Sequence, residues 1–201
     1  MELKIHTVDD LIDCVNEYGI LPFWDESFSA YAMSAVNFMK LWVLREKAVN
    51  SLKVAYGKYA NKKMTFVSLD VFPHLAALRR DGYDFDSLSD EGRAPRREIE
   101  IMSAVGEVPT PSYELGKKLE MKGYDGAVTS LQNKTYLCVT FKKSSMGSAM
   151  LNRPEDVFGY DFVRSKYGLS AEQNAQEIIK LAKGLQFFDE KTRAKILSSA
   201  V

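Results

Sequence analysis

Gln132, Asn133 and Lys134 close the segment "KGYDGAVTSLQNK" with side chains whose donors and acceptors match base edges in a DNA major groove. A little further on, Lys142 and Lys143 stand side by side, and Lys117 and Lys118 form a similar pair upstream. Lysine meets phosphate as a point charge, so these four would add affinity without sequence preference. The chemistry indicated is duplex DNA binding by a helix exposing Thr129, Ser130, Gln132, Asn133 and Lys134, with cations on either flank. That set holds no arginine. From Arg96 to Lys143 there are eight basic and six acidic side chains, a surplus of two. Such a margin leaves a second reading open, a protein-contact module whose lysines are merely solvated.

A second cationic stretch, "YGKYANKKMTF", interleaves Tyr56, Tyr59 and Phe66 with Lys58, Lys62 and Lys63. Rings of this kind can stack on exposed bases while lysines hold the backbone, which makes Tyr56, Lys58, Lys62 and Lys63 secondary DNA-binding candidates. The competing reading is a half-buried hairpin with its aromatics inward and its lysines outward.

Enzyme chemistry finds less support. His6 and His74 are not at metal-ligand spacing, and Cys14 and Cys138 lie far apart, so neither a zinc site nor a disulfide framework is indicated. The nucleophile elbow, the phosphate loop and the dinucleotide glycine pattern are all missing. "DFDSLSDEG" places Leu88 where a calcium loop needs an oxygen ligand and Ser89 where it needs glycine. Asp25 and Glu26 are adjacent carboxylates of the kind general acid/base catalysis uses, and the kind surfaces carry. No metal or cofactor is expected.

The elements that must position these residues follow from composition and pattern. The chain has 201 residues, 46% hydrophobic and 27% charged, with 27 Lys plus Arg against 27 Asp plus Glu. A packed core is expected, and no overall field draws the protein to polyanions. The charged start "MELKIHTVDD" lacks a signal-peptide run and no segment is apolar enough to span a membrane, so a cytoplasmic location and no membrane partner are expected.

Thr7 and Asp10 form the pattern of a capping box before Leu11, Ile12, Val15 and Tyr18, with Gly19 as the stop. Chain rich in helix formers follows an irregular turn at Pro22, and "VAYGKYANKKMTFVS" alternates as a hairpin. Ser68 or Asp70 would cap a helix through "VFPHLAALRR". The acidic stretch from Asp81 to Glu91 reads as a linker dividing the chain near residue 90. Beyond it come a helix from Pro95 to Gly106, a second opened by Thr110 and Pro111, a third capped by Asp125, and then the alternating "TYLCVTFKK" with its returning strand. Three helices and a hairpin in this order are those of a winged helix-turn-helix. Ser170 and Gln173 repeat the capping-box pattern for a C-terminal helix.

The runs "YGKYANKKMTFVSLDVFPHLAALRRDGYDFD", "KGYDGAVTSLQNKTYL" and "NRPEDVFG" resemble those of bacterial proteins related to the AlkZ/YcaQ-type DNA glycosylases, over residues 7 to 168. The resemblance implies a tandem winged-helix fold and a link to enzymes that remove alkylated or cross-linked bases. Those glycosylases place two polar catalytic side chains after a glycine and an apolar pair. The similar place here reads "YGILPFWDE", with Pro22 and Trp24 at the two polar positions. Proline offers no side-chain donor or acceptor and indole offers only a donor, so neither can hold an attacking water. Asp25 is the remaining catalytic candidate, and Phe23 or Trp24 could wedge into the gap left by an extruded base.

The expectation is therefore an α+β, mostly helical protein. Residues 1–90 would form an N-terminal helical and hairpin region, itself a degenerate winged helix in one reading. Residues 91–168 would form the winged helix-turn-helix, and residues 169–201 the C-terminal helices. It is expected to bind double-stranded DNA without glycosylase chemistry. The alternatives are a glycosylase with a divergent site, and a protein-interaction module that has lost DNA binding and acts through a protein partner.

Overall fold

The computed structural model describes residues 5–23, 38–106, 110–142 and 148–200. Its first helix, α1 (Val8–Tyr18), begins at the expected capping box: Asp10 N donates to Thr7 Oγ1, and Asp10 Oδ2 accepts from Thr7 N at 2.8 Å. The helix ends at Gly19, whose φ of 71° is one that side-chain-bearing residues avoid. The chain then enters β1 (Ile20–Pro22), runs through α2 (Phe38–Asn50), and forms the hairpin β2 (Val54–Ala60) and β3 (Lys63–Ser68). β1 pairs with β3, so the sheet order is β1-β3-β2. Pro22 is tolerated because β1 is an edge strand.

Helix α3 (Phe72–Arg80) follows, with Pro73 in its first turn and Val71 at its cap rather than Ser68 or Asp70. The acidic stretch read as a linker instead carries α4 (Phe85–Asp90), because Phe85 and Leu88 share one face and bury it. Phe85 meets Tyr136 edge-on at 5.3 Å.

The next part repeats the first. After α5 (Arg96–Val105) come β4 (Thr110–Pro111), α6 (Ser112–Leu119), α7 (Tyr124–Asn133), β5 (Cys138–Phe141) and β6 (Ala149–Asn152), with sheet order β4-β6-β5. Thr110 and Pro111 pair with Leu151 and Met150 as a short strand, so Pro111 rather than the expected Thr110 stands at the cap of α6, and Thr110 Oγ1 donates to Val105 O. Gly123, at φ 85°, precedes α7 in place of the expected Asp125 cap.

In each sheet the first strand pairs with the third, and the third with the second. The registers superpose: Pro22 faces Thr65, which faces Gly57, as Pro111 faces Met150, which faces Thr140. The two units are joined reciprocally, α7 packing on β2 and α2 on β5, with β2 against β5. One cluster of buried side chains, including Leu11, Tyr56, Phe66, Leu131 and Leu137, runs through both units.

The C-terminal segment packs chiefly on the first unit. It comprises α8 (Pro154–Phe158), α9 (Tyr160–Arg164), α10 (Ala171–Leu181), a 3₁₀ turn (Lys183–Phe187) and α11 (Glu190–Ile196). The expected box at Ser170 and Gln173 is present. Gly184 lies so close to Ile20 O that no side chain fits there. Arg80, fully buried on α3, reaches Glu155, the Tyr167 hydroxyl at 2.9 Å and Thr135 Oγ1 at 3.1 Å, tying the segment to both units. Among the described residues, no helix is long and apolar enough to cross a membrane.

Candidate functional site

The expected base-reading face of α7 is not a free surface. Gln132 is 3% exposed, and its Oε1 accepts a 2.7 Å hydrogen bond from the backbone N–H of Lys58 on β2. Thr129 is buried and accepts from Lys58 Nζ at 3.0 Å. Asn133 is half-buried: its carbonyl accepts from Arg79 Nε at 2.8 Å, and its amide donates to Thr129 O. Lys134 lies 3.1 Å from Glu98 Oε2, and Glu98 also accepts from Ser130 Oγ at 2.7 Å. The expected exposed row is thus corrected: β2 and α5 cover it, and a carboxylate neutralises its lysine.

The remaining candidates separate into two groups. Lys117 and Lys118 are exposed on α6. Lys142 is exposed at the end of β5, where it borders a hollow with Lys47, Asn50 and Ser51 instead of joining the α7 residues. Lys143, Trp24 and Asp25 lie outside the described residues.

On the first hairpin, the reading with aromatics inward holds for the rings. Tyr56 and Tyr59 are fully buried, Tyr56 lying tilted against Phe66 with ring centres 4.8 Å apart, so neither offers a face to a base. Lys62 is exposed at the two-residue turn, where Asn61 and Lys62 have φ of 45° and 73°, the left-handed geometry that lets so short a turn join two twisted strands.

Between the two units lies a cleft of about 700 Å³. Its cationic edge comprises Lys58, Lys62 and Lys63, and its apolar wall includes Phe23, Tyr56, Val128 and Phe141. Ser112, Asp125 and Ala149 border both this cleft and a neighbouring hollow that ends at Tyr113 and Lys117. The two depressions adjoin through these three residues as one groove, with lysines lining both parts and Asp125 common to them.

Arg45, from the middle of α2, enters the cleft although sequence reasoning passed over it. Its guanidinium carbon is 4.0 Å from the Trp42 ring centre and 4.3 Å from that of Phe141. The sequence signal was the Trp42 and Arg45 pair at i, i+3 on one helical face. Burial raises the pKa of the Tyr56 phenol well above its ordinary range; the Arg45 charge opposes that shift only in part. Cys14 and Cys138 are buried free thiols away from the groove lining. His74 is buried against Asn174, with Nδ1 2.9 Å from Oδ1. Among the described residues, no group of His, Cys, Asp and Glu could hold a metal ion.

Comparisons with known proteins bear on this geometry. A sequence profile described as AlkZ related matches residues 5–198. Among curated proteins, none matches significantly. The fold is similar to that of the Streptomyces sahachiroi DNA glycosylase AlkZ, with a TM-score of 0.52 and 15% sequence identity over 96% of this chain. The present chain spans 60% of the length of that structure.

Proposed function

The chain belongs to the AlkZ-related family, and on that premise we propose that it is a tandem winged-helix protein that binds duplex DNA without cleaving a glycosidic bond. Each unit has the helix, strand and hairpin order of a winged helix, and the repeated sheet order supports reading both as such modules. The observation that carries the proposal is the groove whose two parts are lined by exposed Lys62 and by exposed Lys117, cations that meet a phosphate backbone by charge. Base reading by α7 has no part in it, since Gln132 is engaged with β2. Asp125 is the one carboxylate among the described residues lining the cleft, and Pro22 supplies no acceptor, which supports binding without hydrolysis.

Anisotropy of a labelled plain duplex tests this. Affinity should fall steeply between about 50 and 200 mM salt, and Lys62→Ala with Lys117→Ala should weaken unrelated sequences alike and lower the salt slope by about two. Absent or salt-independent binding overturns the proposal.

One observation favours a second reading, release of an alkylated or cross-linked base. Phe23 lines the aromatic cleft and directly precedes Trp24 in the chain, with Asp25 one residue further on. Free base liberated from a lesion panel, and lost in Asp25→Asn, would establish it; no release across the panel removes it.

A further inference from the structure

Helix α11 puts three exposed cations, Lys191, Arg193 and Lys195, on a chain whose net charge is zero. Its Thr192 and Ile196 are buried, so at about 3.6 residues per turn Lys191 and Lys195 share one flank of the helix and Arg193 takes the other. The flank of the two lysines meets the first hairpin. Lys195 Nζ donates to Asn61 Oδ1 at 2.9 Å, in the turn that carries Lys62. An ammonium has several donors, so this bond fixes the charge beside the turn without consuming it.

The junction is held from beneath. Ile196 lies in one buried cluster with Tyr59 and Ala60 of β2. Arg79, 4% exposed on α3, donates to the carbonyls of Lys195 and Ser198, and its Nε to that of Asn133. One guanidinium thus pins α11 to α3 and α7. The turn itself has a lysine at φ 73°, where a two-residue turn of this kind favours glycine, and such strain marks positions kept for function.

Carboxylates do not cancel these charges. Lys134 is paired with Glu98 and Lys180 with Glu177, whereas among the described residues Lys62, Lys191 and Lys195 enter no ion pair. Asp189 is engaged as the cap of α11, accepting from Thr192 N at 2.8 Å and Thr192 Oγ1 at 2.9 Å. Those bonds hold its carboxyl below the ordinary carboxylate range, with the Lys63 charge adding a smaller share. Glu190 stands about 100° round the helix from Lys191, on the outward side.

We propose that α11 belongs to the duplex-binding surface, Lys191 and Lys195 meeting phosphates of a strand that passes the hairpin turn at Lys62. This rests on the duplex-binding reading and extends its footprint from the two units to the C-terminal segment. Side chains at i, i+4 stand about 6 Å apart at Cβ, and the phosphates of one strand advance about 3.4 Å each along the duplex axis, so the pair reaches near neighbours.

Anisotropy of a labelled plain duplex, titrated with the full chain at several salt concentrations, tests the assignment. Lys191→Ala with Lys195→Ala should weaken binding about tenfold or more at about 100 mM salt and lower the salt slope by about two, alike for unrelated sequences. Lys191→Ala alone, an exposed change to a better helix former, should lower the slope by about one. Arg193→Ala removes the same charge from the other flank and should leave the slope unchanged. No duplex binding by the unaltered chain would overturn both this assignment and the reading beneath it. Binding that falls in Lys62→Ala with Lys117→Ala but not in Lys191→Ala with Lys195→Ala would overturn the assignment alone. So would equal losses in Lys191→Ala and Arg193→Ala, which would reduce the effect to net charge. Competition by poly-glutamate as strong, charge for charge, as by unlabelled duplex would overturn it in favour of an acidic polypeptide.

Discussion

The carboxamide of Asn50 donates to the carbonyl of Phe141 and accepts from its N–H, both at 2.9 Å. A side chain at the end of α2 thus completes strand β5 as a neighbouring strand would. At the matching place in the other half, Gln132 at the end of α7 accepts from Lys58 on β2. The register equates Lys58 with Phe141, so the two contacts are counterparts.

Asn50→Leu should therefore destabilise the fold by about 2 kcal/mol, because it leaves both backbone groups of Phe141 without partners in a largely buried joint. Urea unfolding should show a lower midpoint with an unchanged slope.

Lys134→Met should cost about 3 kcal/mol, since it leaves the nearly buried Glu98 without its cation. Adding Glu98→Leu should restore much of that loss. Plain-duplex affinity per folded molecule should not change in either variant, whereas a base-reading Lys134 would weaken it.

Lys62→Gly should separate stability from binding. The left-handed backbone at φ 73° is strained for lysine, and glycine should relieve it by about 0.5 kcal/mol net of its own greater freedom when unfolded. Thermal unfolding should shift upward while duplex affinity falls.

Cys14 is pushed up to about 12, chiefly by burial and secondarily by the Glu17 charge. The native thiol keeps its proton where the unfolded one, titrating near about 8.5, has released it. The stability this contributes should be complete below about pH 8.5 and be lost progressively as pH rises toward about 12. Urea midpoints across that range should fall, less so in Cys14→Ala, and the native thiol should resist a thiol reagent until the protein unfolds.

The helix caps were legible because their signals are local: Thr7 with Asp10, Ser170 with Gln173, and the stop at Gly19 each lie within a few residues. The hairpins and the order of the second unit were legible for the same reason. The burial of Gln132 was not, because its partner Lys58 is 74 residues away, and a polar side chain capping a distant backbone looks like one facing water. Thr110 and Pro111 form a strand of two residues, too short for any period to appear. In the acidic stretch, charge density hid the Phe85 and Leu88 face. Arg45 reads as helix surface until the rings of Trp42 and Phe141, one of them from the other unit, are brought to it.

A joint in which α7 sits on β2 and α2 on β5 is isologous, the arrangement by which two identical subunits meet about a dyad. Here both partners belong to one polypeptide, so the joint holds at any dilution. Because the halves differ in sequence, whatever occupies the groove meets two unlike walls and has one preferred orientation.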